Sequence, residues 1–280
     1  TYISFITTIK ICKGYESFVS KIHTYIQNIQ HFCNVNNISY EILICQDIND
    51  KNIELINISY ENTKVINLQQ KYPNPFNFNM IESYGKNECL KIAKGDYTCM
   101  TSADQIFSEK FFLFVKNSLE LETFYRFATY ETAFFEVNKK SVTEIVDLCK
   151  DDKTKRLCNP GCFSPPLNFV KLGQKSGDIM LLDTKSFQKI RGWAETECFA
   201  HMDTVVCMVA SNVMKVCVPP PDICTYTMVQ DRNESNVSPR KLPNWAAIIM
   251  EKHIPNSEQH TIENYQWLRA LQYKNKRTCN

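Results

Sequence analysis

The chain has 280 residues, 44% of them hydrophobic and 22% charged, with 32 Lys and Arg against 30 Asp and Glu for a net charge of +2. That length buries one substantial core, or one core with a small extension. The near-neutral balance offers no basic face for nucleic acid and no acidic solvating tail, and no run reaches the roughly 18 apolar residues of a membrane span.

Tyr2–Ile9 (YISFITTI) is rich in β-formers and predicts a first strand. Tyr15–Phe32 carries Phe18, Val19, Ile22, Tyr25, Ile26 and Ile29 on one side and predicts an amphipathic helix. Tyr40–Cys45 (YEILIC) is a buried-strand run ending at Gln46-Asp47. Strand, helix, strand in this order predicts a right-handed βαβ unit and a parallel sheet. Lys64–Leu68 reads as a third short strand, and the asparagine- and proline-bearing stretch Tyr72–Asn79 as a loop.

The segment Gly85–Ser108 (GKNECLKIAKGDYTCMTSADQIFS) holds the most information. Cys89, Leu90, Ile92 and Ala93 lie at helical spacing, and Gly95-Asp96 is expected to end that helix through a left-handed glycine. Tyr97–Thr101 then reads as a buried strand that stops at Ser102-Ala103-Asp104. A carboxylate at the carboxyl end of a parallel strand stands where open α/β sheets bind ligands.

Beyond it, a helix is expected over Glu109–Ser118 and strands near Phe124–Ala128 and Ala133–Val137. Ser141–Lys150 predicts a helix whose start has the S-x-x-E spacing of a capping box. Asp151–Gly177, with Pro160, Gly161, Pro165 and Pro166, lacks periodicity and reads as a lid or acceptor loop. Gly177–Asp183 predicts a strand, Thr184–Ile190 a short helix, Arg191-Gly192-Trp193 a turn, Met202–Ser211 a helix and Val213–Val218 a strand. After Pro219-Pro220-Pro221, helices are expected at Pro243–Lys252 and Thr261–Leu271.

Thirteen cysteines with no C-x-x-C pair, several inside apolar runs, point to a reducing compartment and a cytoplasmic location. Cys158 and Cys162 flank a Pro-Gly turn and are the one pair considered for a bridge. No secretory leader is read, and a chain that enters a strand directly from Thr1 reads as a domain cut from something longer.

The order A-K-G-D-Y, apolar strand, S-A-D, then G-W and H-M-D resembles the GT-A-fold inverting glycosyltransferases, across roughly residues 2–218. The Asn-, Ile- and Lys-rich style also resembles A/T-rich genes such as those of large DNA viruses. The family resemblance implies an α/β fold, GT-A (Rossmann-like), with a mostly parallel central sheet flanked by helices. Residues 1–218 would form this core, and 219–280 a C-terminal helical extension packed on it.

By the same resemblance Asp47 would read the nucleobase, with Thr8 nearby. Lys86 would meet the donor diphosphate, where a fixed cation stabilises the charge gathering on the leaving group. Asp104 matches the second aspartate of D-x-D, while Ser102 stands where the first is usual. One carboxylate with donor phosphates can hold Mn²⁺ or Mg²⁺, but the stretch Thr227–Arg232 lacks the histidine that completes the site in relatives. Metal binding is therefore expected to be weak or absent, with Arg232 neutralising phosphate instead. Trp193 would offer a face to a sugar ring, and Asp203, at an expected helix N-terminus, would be the general base.

The implied activity is transfer of a sugar from a nucleoside diphosphate donor, UDP by family frequency, to a glycan or protein hydroxyl, with inversion. The alternative is a catalytically impaired nucleotide- or glycan-binding module of the same fold, toward which Ser102, Met202 and the missing histidine lean. A sugar-1-phosphate nucleotidyltransferase is disfavoured, because Thr8–Gly14 has one glycine where a phosphate loop needs several.

Overall fold

The computed structural model describes residues 1–9, 16–47, 58–68, 82–133, 137, 140–157, 179–193, 206, 210 and 214–228. Eleven strands and five helices are assigned among them. The strands are β1 (Tyr2–Ile9), β2 (Ser39–Asp47), β3 (Thr63–Leu68), β4 (Tyr97–Met100), β5 (Gln105–Phe107), β6 (Thr123–Arg126), β7 (Ala128–Thr132), β8 (Arg156–Leu157), β9 (Met180–Asp183), β10 (Lys215–Cys217) and β11 (Cys224–Met228). The helices are α1 (Glu16–Asn36), α2 (Glu82–Ile92), α3 (Glu109–Asn117), α4 (Val142–Asp151) and α5 (Thr184–Lys189).

Seven strands form the main sheet in the order β10-β6-β9-β4-β1-β2-β3. All neighbours run parallel except β9, which is antiparallel to both β4 and β6. The expected mostly parallel sheet flanked by helices is thus the architecture. Side chains alternate across the pleat, and two apolar layers follow from that alternation. Ile3, Phe5, Ile42, Ile44, Tyr97, Cys99 and Leu181 pack under α1, α3 and α4. Ile6, Leu43, Cys45, Met100, Phe124, Met180 and Leu182 pack with Leu90, Phe187 and Trp193, on the face that carries α2 and α5. Burying both faces is why these strands read as continuous apolar runs.

A second sheet, in the order β5-β11-β7-β8, lies beside the first. It was not expected. β5 and β8 are three and two residues long, too short for a periodicity to show. A strand at Ala128–Thr132 was not expected either, because Phe127 alone separates it from β6 and the alternation runs through without a turn signal; of the strand expected at Ala133–Val137, residues 134–136 lie outside the described residues. Core strands also continue past residue 218, since Cys224–Met228 pairs with both β5 and β7. The helices expected at Pro243–Lys252 and Thr261–Leu271, the loop over Asp151–Gly177 beyond Leu157, and the Cys158–Cys162 pair lie outside the described residues.

Gly95 corrects one expectation. It does not adopt the left-handed backbone; among the described glycines only Gly192 does, at φ 67°. Gly95 is required by space instead: a Cβ there would sit 2.5 Å from the Ser4 amide nitrogen and 2.8 Å from the Ile3 carbonyl carbon. The turn is held by Ser4 Oγ, which accepts from Gly95 N–H at 2.8 Å, and by the Glu41 carboxylate, which accepts from Lys94 N–H at 2.6 Å. Asp96 accepts from the Tyr2 amide at 3.1 Å. The Lys-Gly-Asp segment therefore works at the amino-terminal edge of the sheet, opposite the edge that receives ligands in such folds.

Seven described cysteines are free, six of them buried. Burial pushes the thiols of Cys33, Cys99 and Cys149 up, that of Cys149 to about 12, so they remain protonated packing groups. No described helix is long and apolar enough to cross a membrane.

Candidate active site at the carboxyl edge of the sheet

Three neighbouring strands bring their carboxyl ends together. Thr8 in β1 is level with Cys45 in β2, two residues before Asp47, and Ile6 is level with Met100 in β4. Continuing that register places Ser102 beside Thr8. The ladder outlasts β4 by one residue, since Thr101 N–H donates to Ile6 C=O at 2.9 Å. The chain then turns, with Gln105 N–H donating to Ser102 C=O at 3.3 Å, and this turn contains Asp104. Both Ser102 and Asp104 are half-buried. Thr8, Asp47, Ser102 and Asp104 thus share one edge, in the order the resemblance implies.

The second sheet brings another strand end to this place. β11 runs antiparallel to β5 with Thr227 opposite Gln105, so its last residue, Met228, falls opposite Asp104. Gln105 Nε2 donates to Thr227 Oγ1 at 2.6 Å, fixing that register with side chains as well as backbone. Arg232 and Asp203 lie outside the described residues. Val206 and Ala210, which follow Asp203, are buried on the α2 face of the sheet.

Lys86 and Trp193 meet. The ammonium lies 4.2 Å from the centroid of the indole ring and pairs with the carboxylate of Glu82, one turn earlier on α2. Lys86 is only 2% exposed, a rare state for a lysine without compensation, and the anion and the π-face supply it. Trp193 is also 2% exposed, so the ring face turned to α2 belongs to Lys86. The backbone of Trp193 is clamped by the next residue of the helix. Asn87 Nδ2 donates to its carbonyl at 2.8 Å, and its amide donates to Asn87 Oδ1 at 2.9 Å. The left-handed pair Arg191 and Gly192, φ 65° and 67°, ends α5 and aims the chain into this clamp.

Gly85 lets α2 come this close to the strand ends. A Cβ at that position would lie 2.7 Å from Thr8 Cγ2 and 3.2 Å from Cys45 Sγ.

Sequence reasoning passed over Arg126. It ends β6, is 1% exposed, and is level with Met180, which is in turn level with Met100. By alternation it shares the face of Phe124, Met100 and α2. Its only signal in the sequence was an arginine inside an apolar run, FYRFA, where a permanent charge has to be housed deliberately.

For a metal, the strand tip offers the Asp104 carboxylate and the Ser102 oxygen. Among the described residues no three His, Cys, Asp or Glu side chains gather into a metal-holding group. One carboxylate with phosphate oxygens is nevertheless a sufficient protein share for Mg²⁺.

No protein-family model matches this chain, and no curated protein does. Among solved structures it is similar to residues 1–349 of S. aureus TarS, with TM-score 0.48 and 12% identity over 81% of this chain and 60% of that one. It is also similar to the catalytic domain of Drosophila beta1,4galactosyltransferase 7 in complex with xylobiose, with TM-score 0.43 and 8% identity over 78% and 64%. A third is the mannosyltransferase PcManGT from Pyrobaculum calidifontis in complex with GDP-Man and Mn²⁺, with TM-score 0.47 and 10% identity over 82% and 58%. The chain therefore spans less than two thirds of the length of each.

Proposed function

We propose that this protein transfers a sugar from a nucleoside diphosphate donor to a hydroxyl acceptor with inversion. The observation that carries the reading is the carboxyl edge of the sheet: the ends of β2, β1 and β4 align Asp47, Thr8 and Ser102–Asp104, and Gly85, the residue before Lys86, brings α2 against Thr8 and Cys45. Asp47 and Thr8 take the nucleoside, UDP being the first donor nucleotide to test. Lys86 takes the diphosphate, with Arg232 as a second cation. Trp193 serves the site through Lys86, whose ammonium it backs.

In the transfer, the acceptor oxygen bonds to the anomeric carbon as the bond from that carbon to the diphosphate oxygen breaks. The diphosphate leaves with the electron pair, and Lys86 offsets its growing charge. Asp203 takes the acceptor's proton. Asp104, with Ser102 beside it, is where Mg²⁺ or Mn²⁺ would be held, and the ion would add positive charge at the leaving group.

Ser102 favours a second reading, because it brings a neutral oxygen where a charge would strengthen the site. On that reading the fold binds nucleotide or glycan without turnover. Calorimetry with UDP and GDP, followed by turnover on a donor panel, separates the two. Asp203→Asn is expected to abolish transfer, a loss of at least about 10²-fold, with donor affinity kept. Wild-type turnover in that variant would remove Asp203 from the mechanism, and donor binding without any turnover would favour the binding module.

A further inference from the structure

We infer that the first turn of α2 is a phosphate-binding subsite in which Glu82 occupies the anion's place until the donor arrives. This rests on the donor reading above, since it assumes that the diphosphate meets Lys86. Two independent observations carry it.

The first is the setting of the ammonium. Lys86 is buried between an aromatic wall, Trp193, and a carboxylate, Glu82, whose side chain is 36% exposed. The wall is fixed, because Asn87 holds the Trp193 backbone by two buried hydrogen bonds. The carboxylate can leave, because it already reaches solvent. An incoming diphosphate brings more than one negative charge against the single charge of Glu82, so it wins the ammonium while Glu82 swings out to water.

The second observation is Ser83. It is three residues before Lys86, so the two share a side of the helix. Its hydroxyl is buried and has no hydrogen-bond partner among the described residues. A buried hydroxyl left unsatisfied is destabilising and calls for an explanation. A phosphate oxygen would accept from it. The amide groups of the same turn, at the positive end of an 11-residue helix, favour the same anion. Glu82 is a serviceable stand-in there, since a carboxylate is stabilised in a first helical turn.

The arrangement assigns Glu82 a task in turnover. By returning to Lys86 it displaces the nucleoside diphosphate product, trading donor affinity for release. Titration calorimetry tests this with UDP, inorganic pyrophosphate, and uridine as the phosphate-free control. Glu82→Gln is expected to bind UDP and pyrophosphate about three- to fivefold tighter, the range of a partly exposed ion pair, with uridine unchanged. Ser83→Ala should weaken UDP and pyrophosphate several-fold, and Glu82→Gln combined with Lys86→Met should bind no tighter than Lys86→Met alone. Melting curves confirm that each variant is folded.

A Glu82→Gln variant that binds UDP no tighter than wild type, or gains equally for uridine, reduces Glu82 to a helix-stabilising pair and overturns the inference. If Lys86→Met itself leaves UDP affinity unchanged, the donor reading fails at Lys86 and the subsite falls with it. Lys86→Met weakening UDP while Glu82→Gln changes nothing sinks the stand-in alone.

Discussion

A methyl group added at Gly95 would press on the backbone of Ser4 and Ile3, which cannot move without disturbing β1, paired on both sides within the sheet. Gly95→Ala is therefore expected to cost about 3 kcal/mol or more in urea denaturation, the upper end of overpacking. A methyl at Gly85 meets mainly the Thr8 methyl and the Cys45 side chain, and the methyl can be removed. Gly85→Ala should cost about 1–2 kcal/mol, and Thr8→Ser should recover part of it, so the double variant is more stable than the two single losses added. Strict additivity would show that the clash is relieved elsewhere. Asn87→Ala removes two buried hydrogen bonds to the Trp193 backbone, at roughly 0.5–1.5 kcal/mol for each bond. The sequence identified each of these positions by type only. A glycine announces freedom of φ and absence of Cβ alike, and only the neighbours decide which one the fold uses.

Elements with their own local signal were legible, as α4 shows. Ser141 caps it and Glu144 completes the box, the Ser141 side chain accepting from Glu144 N–H at 3.3 Å and the Glu144 carboxylate accepting from Ser141 N–H at 2.7 Å. Bonds from the Ser141 hydroxyl, at 2.7 Å, and from its amide hold the Glu144 carboxyl below the usual carboxylate range, and bonds from Thr154 and Ala133 do the same for Asp152 at the other end. A carboxyl lowered by folding lends stability that is present above its unfolded pKa and lost as pH falls through the lowered value. Ser141→Ala should thus lower stability by about 0.5–2 kcal/mol at neutral pH. In thermal melts the gap to wild type should narrow in strong acid without closing, because the bond from Glu144 N–H to the serine needs no charge. A gap independent of pH would show that the carboxylate half of the box contributes nothing. The second sheet had no such local cue. β5 and β8 exist because β11 and β7 are there to receive them, and such pairing is invisible to a window that slides along the chain.

Across the whole molecule, the carboxyl edge of the sheet was readable where a strand end carried its own residues, as at Asp47 and Ser102–Asp104, and unreadable where two distant segments had to meet. The Lys86–Trp193 contact spans 107 positions and Arg126 takes its place from the strand order β6-β9-β4, so neither had a local sign. Long-range attachment recurs in one form. Asn28 on α1 exchanges two hydrogen bonds with the backbone of Phe107, at 3.2 and 2.8 Å, as Asn87 does with Trp193. Asn28→Ala should loosen β5, which follows Asp104 directly, and weaken UDP binding more than Ser141→Ala does; equal affinities would show the two sheets to be uncoupled. Both tethers depend on a side chain that copies a peptide group, one donor and one acceptor. Hydrolysis of either amide, the slow chemistry by which stored proteins age, would turn its NH₂ into an oxygen set against a carbonyl. A preparation that gains one mass unit at Asn28 or Asn87, as NH₂ gives way to oxygen, should accordingly lose its fold there, so the shelf life of this protein rests on how seldom the chain opens to let water reach two buried asparagines.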